Sequence, residues 1–153
     1  MIDYSALAKE NFENGLNCAQ AVLLAFSDKT GLDENTALAL SSSFGGGMGR
    51  LREVCGAVSG MFMVAGILYG YTKPEDHTEK TEHYKRIQYL AQKFKDETGS
   101  IICRELLGLD IKGADDPVPQ KRTESYYKKR PCAELVALAA GIMAEYIKEN
   151  PIG

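Results

Sequence analysis

Along most of this chain apolar residues recur at intervals of three and four, the period of an amphipathic helix, and the period-two alternation of a strand is missing. The first such segment covers 5–14, with Leu7, Ala8 and Phe12 on one face and Asn14-Gly15 as its stop. Asn17 has N-cap chemistry and opens an apolar helix over 18–26, closed by Thr30-Gly31. Asp33 caps a further helix over 34–43, where Ala37, Leu38 and Leu40 are apolar. A glycine loop at 45–49 precedes a helix over 52–71, in which Gly56-x-x-x-Gly60 and Gly66-x-x-x-Gly70 each set two small residues on one face. Such faces let neighbouring helices cross closely. Lys73-Pro74 breaks the chain before a charged helix, 75–98, with Tyr84, Ile87, Leu90, Ala91 and Phe94 in register.

Gly99 ends that helix, and Ser100 caps a short one over 101–107 that Gly108 terminates. The stretch 112–123 holds Gly113, Pro117 and Pro119 and reads as an ordered loop. Pro131 stands at the first position of a last helix running to about Glu149, with Leu135, Leu138, Ala139, Ile142 and Tyr146 on its apolar face. The pattern predicts an all-α fold: a single domain over 1–153, a bundle of about six helices with the Gly-rich helix near 52–71 at its centre.

Composition narrows the class. The chain has 153 residues, 44% of them hydrophobic and 25% charged, enough to bury a core without disulfide staples. Its net charge of −3 lacks the basic excess a nucleic-acid partner would want. The apolar run Met61–Leu68 is too short to span a bilayer, and the first residues lack the basic and apolar regions of a signal peptide. The expectation is a soluble, cytoplasmic protein with no membrane insertion.

The chemistry lies in four cysteines, Cys18, Cys55, Cys103 and Cys132. No two stand close enough for a Cys-x-x-Cys, so zinc-ribbon and thioredoxin spacings are absent, and without Cys-x-x-Cys-His there is no c-type haem attachment. Each falls in the first turn or so of an expected helix, where free amides and the helix dipole favour a thiolate. Any joint site is therefore assembled by the tertiary fold.

Asn17-Cys18-Ala19-Gln20-Ala21-Val22, the loop Phe44–Arg50, the run Val54-Cys55-Gly56-Ala57-Val58-Ser59-Gly60 and the single cysteines at 103 and 132 resemble the C_GCAxxG_C_C family of redox-active proteins. In this chain the glycine follows the cysteine, as Cys55-Gly56-Ala57, where the family shorthand sets it before. The resemblance covers essentially the whole chain and implies redox-active cysteines, without implying a substrate.

Two readings from different classes follow. In the first the thiols cycle between dithiol and disulfide, exchanging with a redox partner protein, a small thiol or an electron carrier. Cys55 is then the attacking thiol, reached past the glycines with Arg52 nearby, Cys18 resolves it, and Cys103 and Cys132 form a second pair. In the second reading all four thiolates ligate one zinc ion or iron–sulfur cluster. A structural helical module with inert buried cysteines is the bland alternative.

Around this centre, Gly45, Gly46 and Gly47 with Arg50 and Arg52 have the composition of an anion or cofactor cradle, although no Walker A lysine follows. The plainer account is that the glycines allow close packing beside Cys55. His77 and His83 lie in an acidic stretch and read as surface residues. Lys121-Arg122 and Lys128-Lys129-Arg130 read as a solvated basic loop, or as an electropositive rim that acidifies Cys132 or docks an acidic electron-transfer partner. The Gly-rich helix and the 75–98 helix are compatible with a homodimer.

Overall fold

A computed structural model describes residues 1–152. The expected helices form, because local capping and burial agree. Helix α1 (Tyr4–Glu13) starts where the Asp3 carboxylate accepts from the Ala6 amide. Helix α2 (Cys18–Ala25) has a full capping box, in which Asn17 accepts from the Gln20 amide and the Gln20 side chain accepts from the Asn17 amide. A single turn, α3 (Ser27–Thr30), ends on Gly31, and Asp33 caps α4 (Glu34–Ser41). A 3₁₀ turn, Ser42–Phe44, leads into the glycine segment. Helices α5 (Gly56–Tyr69) and α6 (His77–Thr98) follow, then the short α7 (Cys103–Leu106) and α8 (Glu124–Lys129), and last α9 (Cys132–Glu149).

The fold is helical, and among the described residues the only extended pairing is an antiparallel bridge between Val54 and Ile102. It departs from a plain six-helix bundle. Six helices have eight or more residues, and short segments at 27–30, 103–106 and 124–129 connect or extend them. The basic stretch before Pro131 is one of these helices, capped by Thr123, rather than a loop.

Helix α5 is buried along much of its length, with Val58, Met61, Val64 and Ala65 inaccessible to solvent. Phe12, Leu23, Phe26, Leu90, Phe94 and Met143 complete the centre of the core. The first small-residue pair does set a close crossing. A Cβ on Gly60 would stand 2.8 Å from the Ala19 carbonyl oxygen, and one on Gly56 would stand 3.0 Å from the Cys18 Cβ. The second pair does not: a Cβ on Gly66 would meet nothing within 4 Å, and Gly70 lies past the helix in extended backbone.

The expected helix start at 52 is corrected to Gly56, for a reason that builds the site. Arg50 and Arg52 both have left-handed φ, 65° and 61°, which no right-handed helix accommodates. The chain instead runs beside the segment before α7: the Cys103 amide donates to the Glu53 carbonyl at 2.6 Å, and the Cys55 amide to the Ile101 carbonyl at 2.8 Å. This pairing sets the starts of α5 and α7 side by side, and with them Cys55 and Cys103.

Candidate functional site

All four cysteines begin helices. Cys18, Cys103 and Cys132 are the first residues of α2, α7 and α9, and Cys55 is the N-cap of α5. All four are free thiols, and all four line one cavity of about 280 Å³. Cys55, Cys103 and Cys132 are buried, while Cys18 keeps partial exposure. Among the described residues no three His, Cys, Asp or Glu side chains are arranged to hold a metal ion.

The thiols differ in acidity because their neighbours differ. Cys132 is pushed down to about 7 from an ordinary 9.0. The Cys18 thiol donates a hydrogen bond to its thiolate, and Arg130, Arg122 and Arg52 add positive potential against the cost of burial. The same hydrogen bond, with burial of its sulfur, raises Cys18 well above its ordinary value, so Cys132 ionises first. Burial pushes Cys55 up to about 12, although the Ala57 and Val58 amides at the start of α5 pull the other way. Here the helix start loses to desolvation. Cys103 is also raised by burial, opposed by Arg52, whose Nη1 lies 3.6 Å from its sulfur.

Arg52 was expected to serve Cys55. Its buried guanidinium instead contacts Cys103 and pairs with Asp115 at 3.0 and 3.1 Å. Gly45, Gly46 and Gly47 line the cavity with Arg50 and Arg52. From Gly46 to Arg50 every residue has positive φ, a left-handed turn that includes Met48. Gly47 is required twice over. Its φ is +69°, and a Cβ there would stand 2.6 Å from the Cys103 Cβ and 2.9 Å from the Arg52 Cα. The close packing expected beside Cys55 is therefore beside Cys103, and Gly45 packs equally closely on Asn17.

The segment 112–123 closes one side of the cavity. The Asp115 amide donates to the Arg50 carbonyl, the Asp115 carboxylate pairs with Arg50 and Arg52, and Arg50 Nε donates to the Asp116 carbonyl. The Asp116 amide and then Arg52 hold the Asp115 carboxyl below its ordinary value. Arg122 donates to the Phe12 and Leu16 carbonyls and lies 4.3 Å over the Phe12 ring and 5.1 Å over the Tyr126 ring. It is a structural clamp as well as a positive wall, not a solvated lysine-like charge. Arg130 faces the Tyr126 ring and donates to the Gln120 side chain.

Sequence reading missed Asp115 and Tyr126. An aspartate pair in an otherwise basic region was the visible signal, but nothing in its spacing pointed to arginines over sixty residues away. His83 also departs from expectation. It is buried beside Tyr71, with Nδ1 2.9 Å from the Arg86 guanidinium, and burial then Arg86 lower its pKa. His77 is exposed as expected, and neither histidine lines the cysteine cavity.

No helix among the described residues is long and apolar enough to cross a membrane. No curated protein and no solved structure matches the chain. Residues 16–146 match the family described as "Putative redox-active protein (C_GCAxxG_C_C)", a span that takes in all four cavity cysteines, and the chain belongs to that family.

Proposed function

We propose that this protein is a dithiol/disulfide redox protein in which Cys132 is the attacking thiol and Cys18 its resolving partner. The observation that carries this reading is that Cys18 and Cys132 line one cavity with Cys55 and Cys103, and that of the four thiols Cys132 alone is made more acidic by its surroundings. An acidic thiolate held against a neutral thiol is the arrangement that thiol–disulfide exchange requires. The roles differ from those the sequence suggested, since burial makes Cys55 a poor thiolate. In this reading Cys103, braced by Arg52, and Cys55 form the inner pair that receives electrons from, or passes them to, the outer one. The partner is a small thiol, an electron carrier or a redox protein acting in the cytoplasm.

Mild oxidation of the reduced protein, followed by disulfide mapping of peptides, tests the proposal. The expected first product is an intramolecular Cys18–Cys132 disulfide with Cys55 still free. Cys132→Ser should abolish it, whereas Cys55→Ser should leave it. A first disulfide joining Cys55 to Cys18, or a thiol count that oxidation does not change, would overturn the assignment. Metal analysis and the visible spectrum of anaerobically purified protein test the zinc and iron–sulfur alternative on the same sample.

A further inference from the structure

The cavity has a charge unlike that of the chain around it. Four arginines line it, at 50, 52, 122 and 130, and no aspartate, glutamate or lysine does, although the protein as a whole carries −3. Asp115 behind Arg50 and Arg52 offsets one of those charges. The wall therefore keeps an excess of positive charge around the cysteines. Such concentration of one sign in a recess raises the local concentration of the opposite sign.

The arginines are not equivalent. Arg52 is held by Asp115 and Cys103, Arg122 by two carbonyls and the aromatic rings, and Arg50 by Asp115 and Asp116. Arg130 donates to Gln120 through one Nη, and among the described residues no other hydrogen-bond acceptor meets its fork. A guanidinium with free donors is suited to a carboxylate. It stands two residues before Cys132, as the C-cap of α8 just ahead of α9, and its charge acts on that sulfur.

Size points to a small molecule. Cys132 is 8% exposed, so the flat face of another protein does not reach its sulfur without rearrangement. At about 280 Å³ the recess lies near the lower end of small-molecule sites. Leu106, Leu107, Pro117 and Pro119 supply apolar walls suited to a short carbon chain.

We propose that the cavity admits a small disulfide bearing carboxylates, with Arg130 binding a carboxylate so that one disulfide sulfur faces Cys132. The proposal rests on the Cys132–Cys18 reading and names the substrate class for it. The Cys132 thiolate attacks the near sulfur, the substrate S–S bond breaks, and the far half leaves as a thiolate that takes up a proton. Cys18 then gives up its proton and attacks the Cys132 sulfur, forming the protein disulfide and releasing the second half as a thiol. Two electrons pass from the protein to the substrate: two cysteine thiols become one disulfide, and one substrate disulfide becomes two thiols. The reverse sequence oxidises a small anionic thiol.

The test uses the reduced full chain and three small disulfides of different charge: dithiodipropionate, which is anionic, hydroxyethyl disulfide, which is neutral, and cystamine, which is cationic. Each rate of Cys18–Cys132 formation is divided by the rate of the same disulfide with free mercaptoethanol at the same pH. That ratio removes intrinsic leaving-group differences. The expected normalised order is anionic above neutral above cationic, each step on the order of tenfold at low salt and shrinking at high salt. Arg130→Gln should lower the anionic-to-neutral ratio several-fold, and Arg130→Glu should invert it. Equal normalised rates, or a ratio that Arg130→Glu leaves intact, would overturn the substrate class while the dithiol reading stands. Oxidation by a protein disulfide such as insulin, with all three small disulfides inert, would overturn the class too. A chain that none of them oxidises would overturn both proposals.

Discussion

Titration of Cys132 is the most direct consequence of the site's geometry. Its value near 7 against an ordinary 9.0 rests first on the Cys18 hydrogen bond and then on Arg130, Arg122 and Arg52, with burial opposing. At pH 7 a thiol of the ordinary value is about 1% ionised, and one near 7 is about half ionised, so Cys132 carries roughly 50 times more thiolate. A less basic thiolate is also a weaker nucleophile. With a Brønsted coefficient of about 0.4–0.5, two units cost roughly six- to tenfold in intrinsic rate. The net expectation is alkylation at pH 7 roughly five to eight times faster than for an ordinary thiol of equal access. The assay is iodoacetamide labelling from about pH 5 to about pH 10, quantified cysteine by cysteine in digested peptides. Cys132 should rise with a midpoint near 7 while Cys55 stays unlabelled through neutral pH. Cys18→Ala should move the midpoint up further than Arg130→Gln, because the hydrogen bond is the larger cause. A Cys132 midpoint near the ordinary value, or one that Cys18→Ala leaves unmoved, would refute the reasoning.

Two further outcomes follow from the packing. Gly47→Ala adds a Cβ 2.6 Å from Cys103 Cβ in left-handed backbone, and should destabilise the fold by about 2–5 kcal/mol in urea unfolding. Gly49→Ala is left-handed too but meets only the Ser43 carbonyl at 3.6 Å, so about 1–2 kcal/mol is expected; equal losses would contradict the close approach. Cys55 has a folded value near 12, above its ordinary 9.0, so its contribution is present in full below 9 and lost as pH rises toward 12. Between about pH 9 and pH 10 the wild type should lose about 1 kcal/mol relative to Cys55→Ala, and parallel stability curves would show that the thiol is not desolvated.

Most helices were legible because their causes are local. Asp3, Asn17, Asp33 and Asp76 each accept from the amide three residues on, and a 3.6-residue period marks the buried face wherever it is read. The helix-start position of all four cysteines was legible for the same reason. Short-range rules failed where a partner distant in the chain competes. Arg52 takes a left-handed conformation because its backbone pairs near Ile102 and its side chain meets Asp115 and Cys103. His83, drawn as a surface residue by its acidic neighbours, is buried by Tyr71 and Arg86 packing against it.

What the chain order determines by itself is a helical protein with four thiols poised at helix starts, since capping and dipole act within a turn. What only the tertiary structure decides is which thiol is acidic. A helix start draws every sulfur toward thiolate, but desolvation and neighbouring charge are larger and depend on which elements pack together. Cys55 sits at such a start and is raised by burial; Cys132 sits at another and is lowered by Cys18 and by arginines from two other segments as well as its own. The sequence places the sulfurs, and the packing of distant segments sets their charge.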